Sequence, residues 1–415
     1  MKKLIIIFCL PLLVYSQQTE KIGKKKIHEI NWQTNIFYES NSLNKNFLDK
    51  IIYGGYIDDQ LKEEWLESND QEKILNTEII NQITYTNHKY NYSLEISDKN
   101  SMNLFIPEDL MRIILYGNYD YQNQEISLAN TKVLINRYQQ YKLKYLLDLS
   151  PVKVNTGFSF LSGNFHHTSW INNGSIYTNS NGNYLDLSYD FTSITTDTTD
   201  YSPFKNNGNG LALDFSISIE KNNYKTNIYI SDLGFIMWNN KSLISSNDSN
   251  FLYQGIQVDN ILEFHDSIVN TQNIYDETFK NVNNSFKSYI PANFGVNIHK
   301  DLSLEKINSI SGGVNMRWQP LFDNTPLSFQ KISQGILESN YKPYLWVSTN
   351  SPTKYFDLIS HLSYGGYISK INIGLSLAKD HKNNTFIVGT NHLESIINGN
   401  KSKAMSLQIR FLINL

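Results

Sequence analysis

Lys403 to Leu415 (KAMSLQIRFLINL) decides how the rest of the chain is read. Met405, Leu407, Ile409, Phe411, Ile413 and Leu415 are apolar, and Ala404, Ser406, Gln408, Arg410, Leu412 and Asn414 fall between them. A strand sends successive side chains to opposite faces, so this segment carries one oily face and one mostly wet face, Leu412 being the exception. A soluble domain ending on such an edge would invite aggregation. The length matches the roughly 9–11 residues that a tilted strand needs to cross a bilayer. The segment therefore reads as the closing strand of an outer-membrane barrel. The odd-numbered apolar set faces lipid, and Gln408 and Arg410 face the lumen.

The rest of the sequence is compatible with that strand. The chain has 415 residues, a formal charge of -3 and 13% aromatics, among them 27 Tyr and 21 Phe, with a mean hydropathy of -0.39. A helical membrane protein would be far more hydrophobic. A barrel exposes only alternate residues to lipid, has polar loops and lumen, and concentrates aromatics at both interfaces, so a negative hydropathy rich in Tyr and Phe suits it. The near-neutral charge lacks the basic footprint of a nucleic-acid binder.

Lys2 and Lys3, the apolar run Leu4 to Val14, and Val14-Tyr15-Ser16 have the architecture of a secretory signal peptide. Residues 1–16 are expected to be removed and 17–415 to form an outer-membrane barrel domain. The sole cysteine, Cys9, is preceded by Phe8 where a lipoprotein signal has a small residue. The processed chain would then hold no cysteine, which excludes disulfides, thiolate metal sites and cysteine nucleophiles.

In chain order, Asn31 to Ser40 reads as a first strand. Phe47, Leu48, Ile51 and Ile52, and then Leu61, Trp65 and Leu66, recur at helical spacing on either side of Tyr53-Gly54-Gly55-Tyr56. Two short amphipathic helices are expected near 46–68, and a third near 107–115 (PEDLMRIIL), opened by Pro107 and closed by Gly117. Too short to span lipid, they would sit in the lumen or at its mouth. Strands follow at 81–88 and 89–97, and alternation is clearest at Tyr141 to Leu149, Tyr184 to Phe191 and Leu211 to Ile219. There Lys142, Lys144, Asp148, Asp186, Asp190 and Asp214 interrupt otherwise oily strands, which calls for a hydrated interior. Residues 192–210 read as a surface loop, and 266–282 as a stretch of helical character. The expected fold class is all-β: a closed antiparallel transmembrane β-barrel of about 14 strands with short helical inserts in or near the lumen.

No constellation of catalytic residues stands out. His166 and His167 are adjacent and on a strand would point to opposite faces, so a shared metal would need a loop. Asp58, Asp59, Glu63 and Glu64 beside Lys62 lack the spacing of calcium loops and read as a solvated helix face. There is no GxSxG elbow and no phosphate-cradling glycine loop. The sequence thus points to no enzyme, no cofactor and no metal.

Three features carry a family resemblance: NLFIPEDLMRIILYGNYDYQNQEISL (Asn103 to Leu128), ISDLGFIMW (Ile230 to Trp238), and the order of signal peptide, GGYIDDQLKE insert and terminal strand. The chain resembles an uncharacterised family of exported proteins from Bacteroides- and Flavobacterium-type bacteria. That family is similar to FadL-type barrels and, more distantly, to the PorP/SprF barrels of type IX secretion and gliding. Fold and location are what the resemblance implies. On the residues themselves, Gly117 suits a helix C′ position, and Asp232-Leu233-Gly234 a strand bulge.

The leading expectation is an integral outer-membrane barrel that admits a hydrophobic small molecule or serves as a subunit of a secretion or motility assembly. Its partners would be outer-membrane lipid, the barrel-assembly machinery, and either a hydrophobic ligand or secretion-system subunits, with no nucleic acid. An apolar lumen favours uptake, and a sealed polar lumen favours a scaffold. The alternative is a secreted all-β adhesin or carbohydrate-binding protein built from packed sheets or blades.

Overall fold

The structure, a computed structural model, describes residues 27–67, 72–197, 202, 204–253, 280–304, 306–320 and 339–415. Residues 1–16, read as a signal peptide, lie outside them, as does most of the 266–282 stretch. The first strands are β1 (His28–Ser40), β2 (Glu72–Asn87), β3 (Tyr92–Pro107), β4 (Glu125–Ser127), β5 (Lys132–Leu149) and β6 (Val152–Thr178). Then come β7 (Leu185–Thr195), β8 (Gly208–Lys221), β9 (Tyr224–Trp238), β10 (Leu243–Tyr253), β11 (Lys280–Asn283) and β12 (Phe286–Tyr289). The last are β13 (Ala292–Leu304), β14 (Ile307–Trp318), β15 (Lys342–Pro352), β16 (Asp357–Gly366), β17 (Ile368–His381), β18 (Asn384–Thr390) and β19 (Ala404–Asn414). Helices α1 (Lys45–Tyr53), α2 (Asp59–Leu66) and α3 (Glu108–Tyr116) lie in the first two long connections.

Fourteen of the strands form one closed antiparallel wall, in the order β1, β2, β3, β5, β6, β8, β9 and then β13 through β19. β19 pairs with β1 from Glu39↔Ala404 to Glu29↔Asn414, which removes both sheet edges. A secreted sandwich or propeller would need packed sheets or blades instead, so this closure rules out the adhesin architecture. No described helix is long and apolar enough to cross a membrane. The outward residues supply the apolar surface: Ile83, Ile96, Tyr141, Phe160, Leu213 and Ile373 are all exposed and lie on different strands. An apolar exterior on a closed antiparallel sheet is what a lipid-spanning barrel requires, because lipid satisfies no backbone polar group. The protein folds as a closed transmembrane β-barrel.

The two ends differ. His28, Asn414 and the short connections β2–β3, β5–β6, β8–β9, β15–β16 and β17–β18 share one end. Most long connections leave the other, the asymmetry of barrels with periplasmic turns and extracellular loops. At that end β6 outruns the wall. Its first half pairs with β8, and its second half pairs with β7, which pairs in turn with β10. A projecting sheet results, with β4 and β11 added at its margins. Two ends of the stretch expected to be a surface loop, Thr192 to Thr195 and Gly208 to Gly210, belong to β7 and β8, because pairing with β6, β10 and β9 outweighs their polar, Gly-rich composition.

The helices lie at the long-connection end, and their packing partners are outward residues of the wall. The β2–β3–β5 ladder runs without a register shift, so the exposed Leu94 and Ile96 share a face with Met102, Leu104 and Ile106. Met102, Leu104 and Ile106, with Tyr38 and Leu75, form one core with Trp65, Leu66 and Met111 of the helices. The inserts, expected in the lumen or at its mouth, are at the mouth but brace its outside, because their apolar faces meet outward wall residues, and wall side chains occupy the interior.

Candidate functional site

Gln408 is buried, accepts from Ser376 Oγ at 3.2 Å and donates to Asn391 Oδ1 at 2.7 Å. Arg410 Nε donates to Asn31 Oδ1 at 2.9 Å across the β19–β1 seam. Leu407 and Leu415 are exposed on the opposite face, while Ile409, Phe411 and Ile413 are partly covered by neighbouring strands. Met405 packs against the helix core, so the outermost member of the apolar set meets protein. Leu412, the exception to the alternation, is buried on the inner face.

The densest polar arrangement in the lumen gathers around Asp232. Asp214 of β8 faces two residues of β9, since the register passes from Leu213↔Leu233 to Phe215↔Ile230. The extra residue is a β-bulge at Asp232, held at φ 61 with its N–H donating to Asp214 Oδ1 at 2.8 Å. A left-handed backbone is tolerated by Asp better than by most side chains, and the bulge turns this carboxylate inward. Lys99 Nζ reaches Oδ2 at 2.8 Å, while Lys142 Nζ at 2.8 Å and Gln140 Nε2 at 2.7 Å share Oδ1. Lys142 also holds Asp214 Oδ2 at 2.6 Å, and Lys144 holds Glu95 Oε2 at 2.6 Å. Three wall strands separate β3 from β9, so the Lys99–Asp232 pair spans a sector of the lumen.

A second bridge spans more. Arg317 of β14 donates to Glu78 of β2 at 3.1 Å, and six wall strands separate the two on either side. A round ring of fourteen strands spaced 4.7–4.9 Å apart would be roughly 25 Å across, far beyond the reach of the two side chains. The barrel is therefore flattened here, and opposite walls meet through side chains. Between the bridges lies a cavity of about 90 Å³ lined by Glu78, Lys99, Ser101, Tyr138, Asp232 and Arg317. Nearer the long-connection end, Tyr138, Leu161, Ile236, Trp238, Phe286 and Ile290 pack together on the inner side. His166 stands 5.5 Å from the Trp238 ring and bonds Asn136 at 2.6 Å, while His167 bonds Thr195 on the other face of the strand.

Of the charges whose alternation points to a hydrated interior, Lys142, Lys144 and Asp214 meet in this network, and Asp232 is the bulge, whereas Asp186 and Asp190 lie on β7 in the projecting sheet, outside the wall. The alternation did not find Lys99, Glu78 or Arg317. Arg317 stands between Met316 and Trp318, both on the outer side, and this charge flanked by oily residues was the available signal.

The acidic residues of α2 bind elements together. Asp58 caps the helix by accepting from Leu61 N at 2.8 Å. Glu64 takes Lys401 at 3.2 Å. Glu63 accepts from the Tyr116 hydroxyl at 2.5 Å, a hydrogen bond that pushes the phenol up to about 12. Lys73, buried under the helices, reaches Leu66 O and Glu108 Oε2, each at 3.1 Å.

No curated protein matches the sequence. Among solved structures, the toluene transporter TodX of P. putida is 8% identical with a TM-score of 0.42, over 94% of this chain and 90% of that one. A FadL homologue from Pseudomonas aeruginosa is 10% identical with a TM-score of 0.40, over 94% and 89%. The translocator domain of the autotransporter NalP from Neisseria meningitidis is 6% identical with a TM-score of 0.33, over 94% and 88%. A family model matches residues 29–391, nearly the whole wall from β1 to the end of β18. The chain belongs to DUF5723, a family of unknown function.

Proposed function

We propose that this barrel is a partner-binding platform, a subunit of a surface assembly, whose working part is the structure projecting from its long-connection end. The observation that carries the reading is the lumen bridged from one wall to the opposite one by Arg317–Glu78, beside the buried network of Lys99, Lys142 and Asp232 that ties up a further sector. A permanent aqueous pore would not retain such bridges, and a path for an oily solute would not lead through buried charge. The ordered mass outside the wall, namely the second half of β6 with β7 and β10 and the three braced helices, supplies the docking surface. Type IX secretion or gliding machinery is the class of assembly that the sequence resemblance suggests.

The test joins two measurements on the full-length protein. In planar bilayers it should show no steady conductance, and a photoreactive side chain placed at Asp248 of β10 should crosslink one defined envelope protein in the native cell. Stable open-channel conductance, or protein-dependent entry of a hydrophobic probe into vesicles with no crosslinked partner, would overturn the proposal.

The second reading is uptake of a hydrophobic small molecule. The inward apolar layer around Tyr138, Leu161, Ile236 and Trp238 favours it, since it could receive such a molecule if the charge bridges opened. TodX, a barrel of similar course, is described as a toluene transporter.

A further inference from the structure

On the outer wall, far from the lumenal charges, β9, β13, β14 and β15 enclose a groove of about 480 Å³. Its origin is a missing side chain. Outward residues align in rows: Ile228, Val296, Val314 and Leu345 in one, then Thr226, Ile298, Gly312 and Val347 in the next. Gly312 stands where its neighbours carry branched apolar groups, so the row is dented at its centre. The half-exposed Ile298, Leu345 and Val347 form the rim.

The third row, Tyr224, Lys300 and Ile310, closes the groove toward the end that bears the short turns. Lys300 Nζ stands 4.6 Å from the centre of the Tyr224 ring. Among the described residues no carboxylate lies within ion-pair distance of it, although Lys225 and Lys153 nearby share Glu220. An amphipathic Lys-aromatic pair at the rim of an apolar wall belongs at the headgroup level.

We propose that this groove is a binding site for one glycerophospholipid of the periplasmic leaflet, with an acyl chain in the Gly312 dent and the phosphate on Lys300. The occupant follows from place and charge. The groove is continuous with the lipid-facing surface, it opens sideways with apolar walls, and its single cation lies at the periplasmic end, where phosphate groups are found. One lysine near the surface contributes about 1 kcal/mol toward an anionic headgroup, roughly a fivefold change in occupancy.

The full-length barrel in detergent would be given phosphatidylglycerol or, as the phosphate-free probe, the matching diacylglycerol, and bound lipid would be counted by native mass spectrometry. The wild type should hold one phosphatidylglycerol under activation that strips further copies. Lys300→Ala should lower that retention about fivefold, to the level of diacylglycerol. Gly312→Val, which fills the dent, should abolish retention of both probes. Its Cβ would stand 3.2 Å from the Trp346 carbonyl oxygen, so heat-modifiable mobility must first show that the variant folds. Lys379→Ala, an exposed lysine on β17, should change nothing. Equal loss in the Lys379 and Lys300 variants, or no retained lipid in the wild type, overturns the proposal.

Discussion

Asp232 shows how one residue reshapes a wall. In an unbroken β9 its side chain would alternate to the lipid side, where an unpaired carboxylate is costly. The bulge carries it inward to Lys99, Lys142 and Gln140. Asp232→Asn keeps the side chain's tolerance for a left-handed backbone and removes the charge. The loss of a buried ionic partner typically costs about 3–5 kcal/mol. We therefore expect a lower unfolding temperature in detergent, read from heat-modifiable mobility. Unchanged stability would mean that the network contributes little to holding β9 against β3 and β5.

Glu108 is the comparable residue outside the membrane. Partial burial pushes its carboxyl up, but the hydrogen bonds from Arg112 and Lys73 outweigh this and leave it below the ordinary glutamate value. A group whose pKa is lowered on folding stabilises above its unfolded pKa and loses that contribution as pH falls through the folded value. The docking of α3 should therefore be independent of pH near neutrality and weaken below about pH 4. Hydrogen exchange of α3 at graded pH measures this, and Glu108→Gln should remove the acid-dependent part.

At the scale of elements, the helices and the closing strand are held by different forces. The helices depend on a compact apolar core in which Trp65 is 1% exposed, meets Phe47 edge-on at 5.1 Å and donates to Asn44 at 2.9 Å. Trp65→Ala should cost about 3–5 kcal/mol locally. Rapid protease cleavage between α1 and α2 with the barrel still folded is the expected result. The closing strand instead carries two ladders, one to β1 and one to β18. Removing Phe411 to Leu415 deletes the lower part of both, so the chain should reach the periplasm and fail to assemble. Folded, membrane-inserted truncated protein would show that closure does not depend on these residues.

For the whole molecule, the question is what holds the lumen shut. If the Arg317–Glu78 bridge between opposite walls and the Asp232 network within one sector hold the flattened section, removing both in Asp232→Asn/Arg317→Ala should let it relax. Conductance should then appear in bilayers where the wild type shows none. A silent double variant would place the seal in the apolar layer around Trp238 and Phe286.

Much of this was legible in the sequence because a strand's side-chain period is a local property. The alternation of Lys403 to Leu415 and of Leu211 to Ile219, the helical spacing of Phe47 to Ile52, and the glycine at 117 that ends α3 with φ 80 can each be read from adjacent residues. They determined the barrel class, the helical inserts and the inner and outer faces of individual strands. Tertiary structure alone decided which face of the wall the helices brace and that β6 continues into a projecting sheet. It alone brought Arg317 to Glu78, 239 residues apart in sequence, and set Gly312 among branched neighbours on other strands. Those outcomes depend on register and closure between distant segments, and the periodicity of one strand carries no information about which strand it will face.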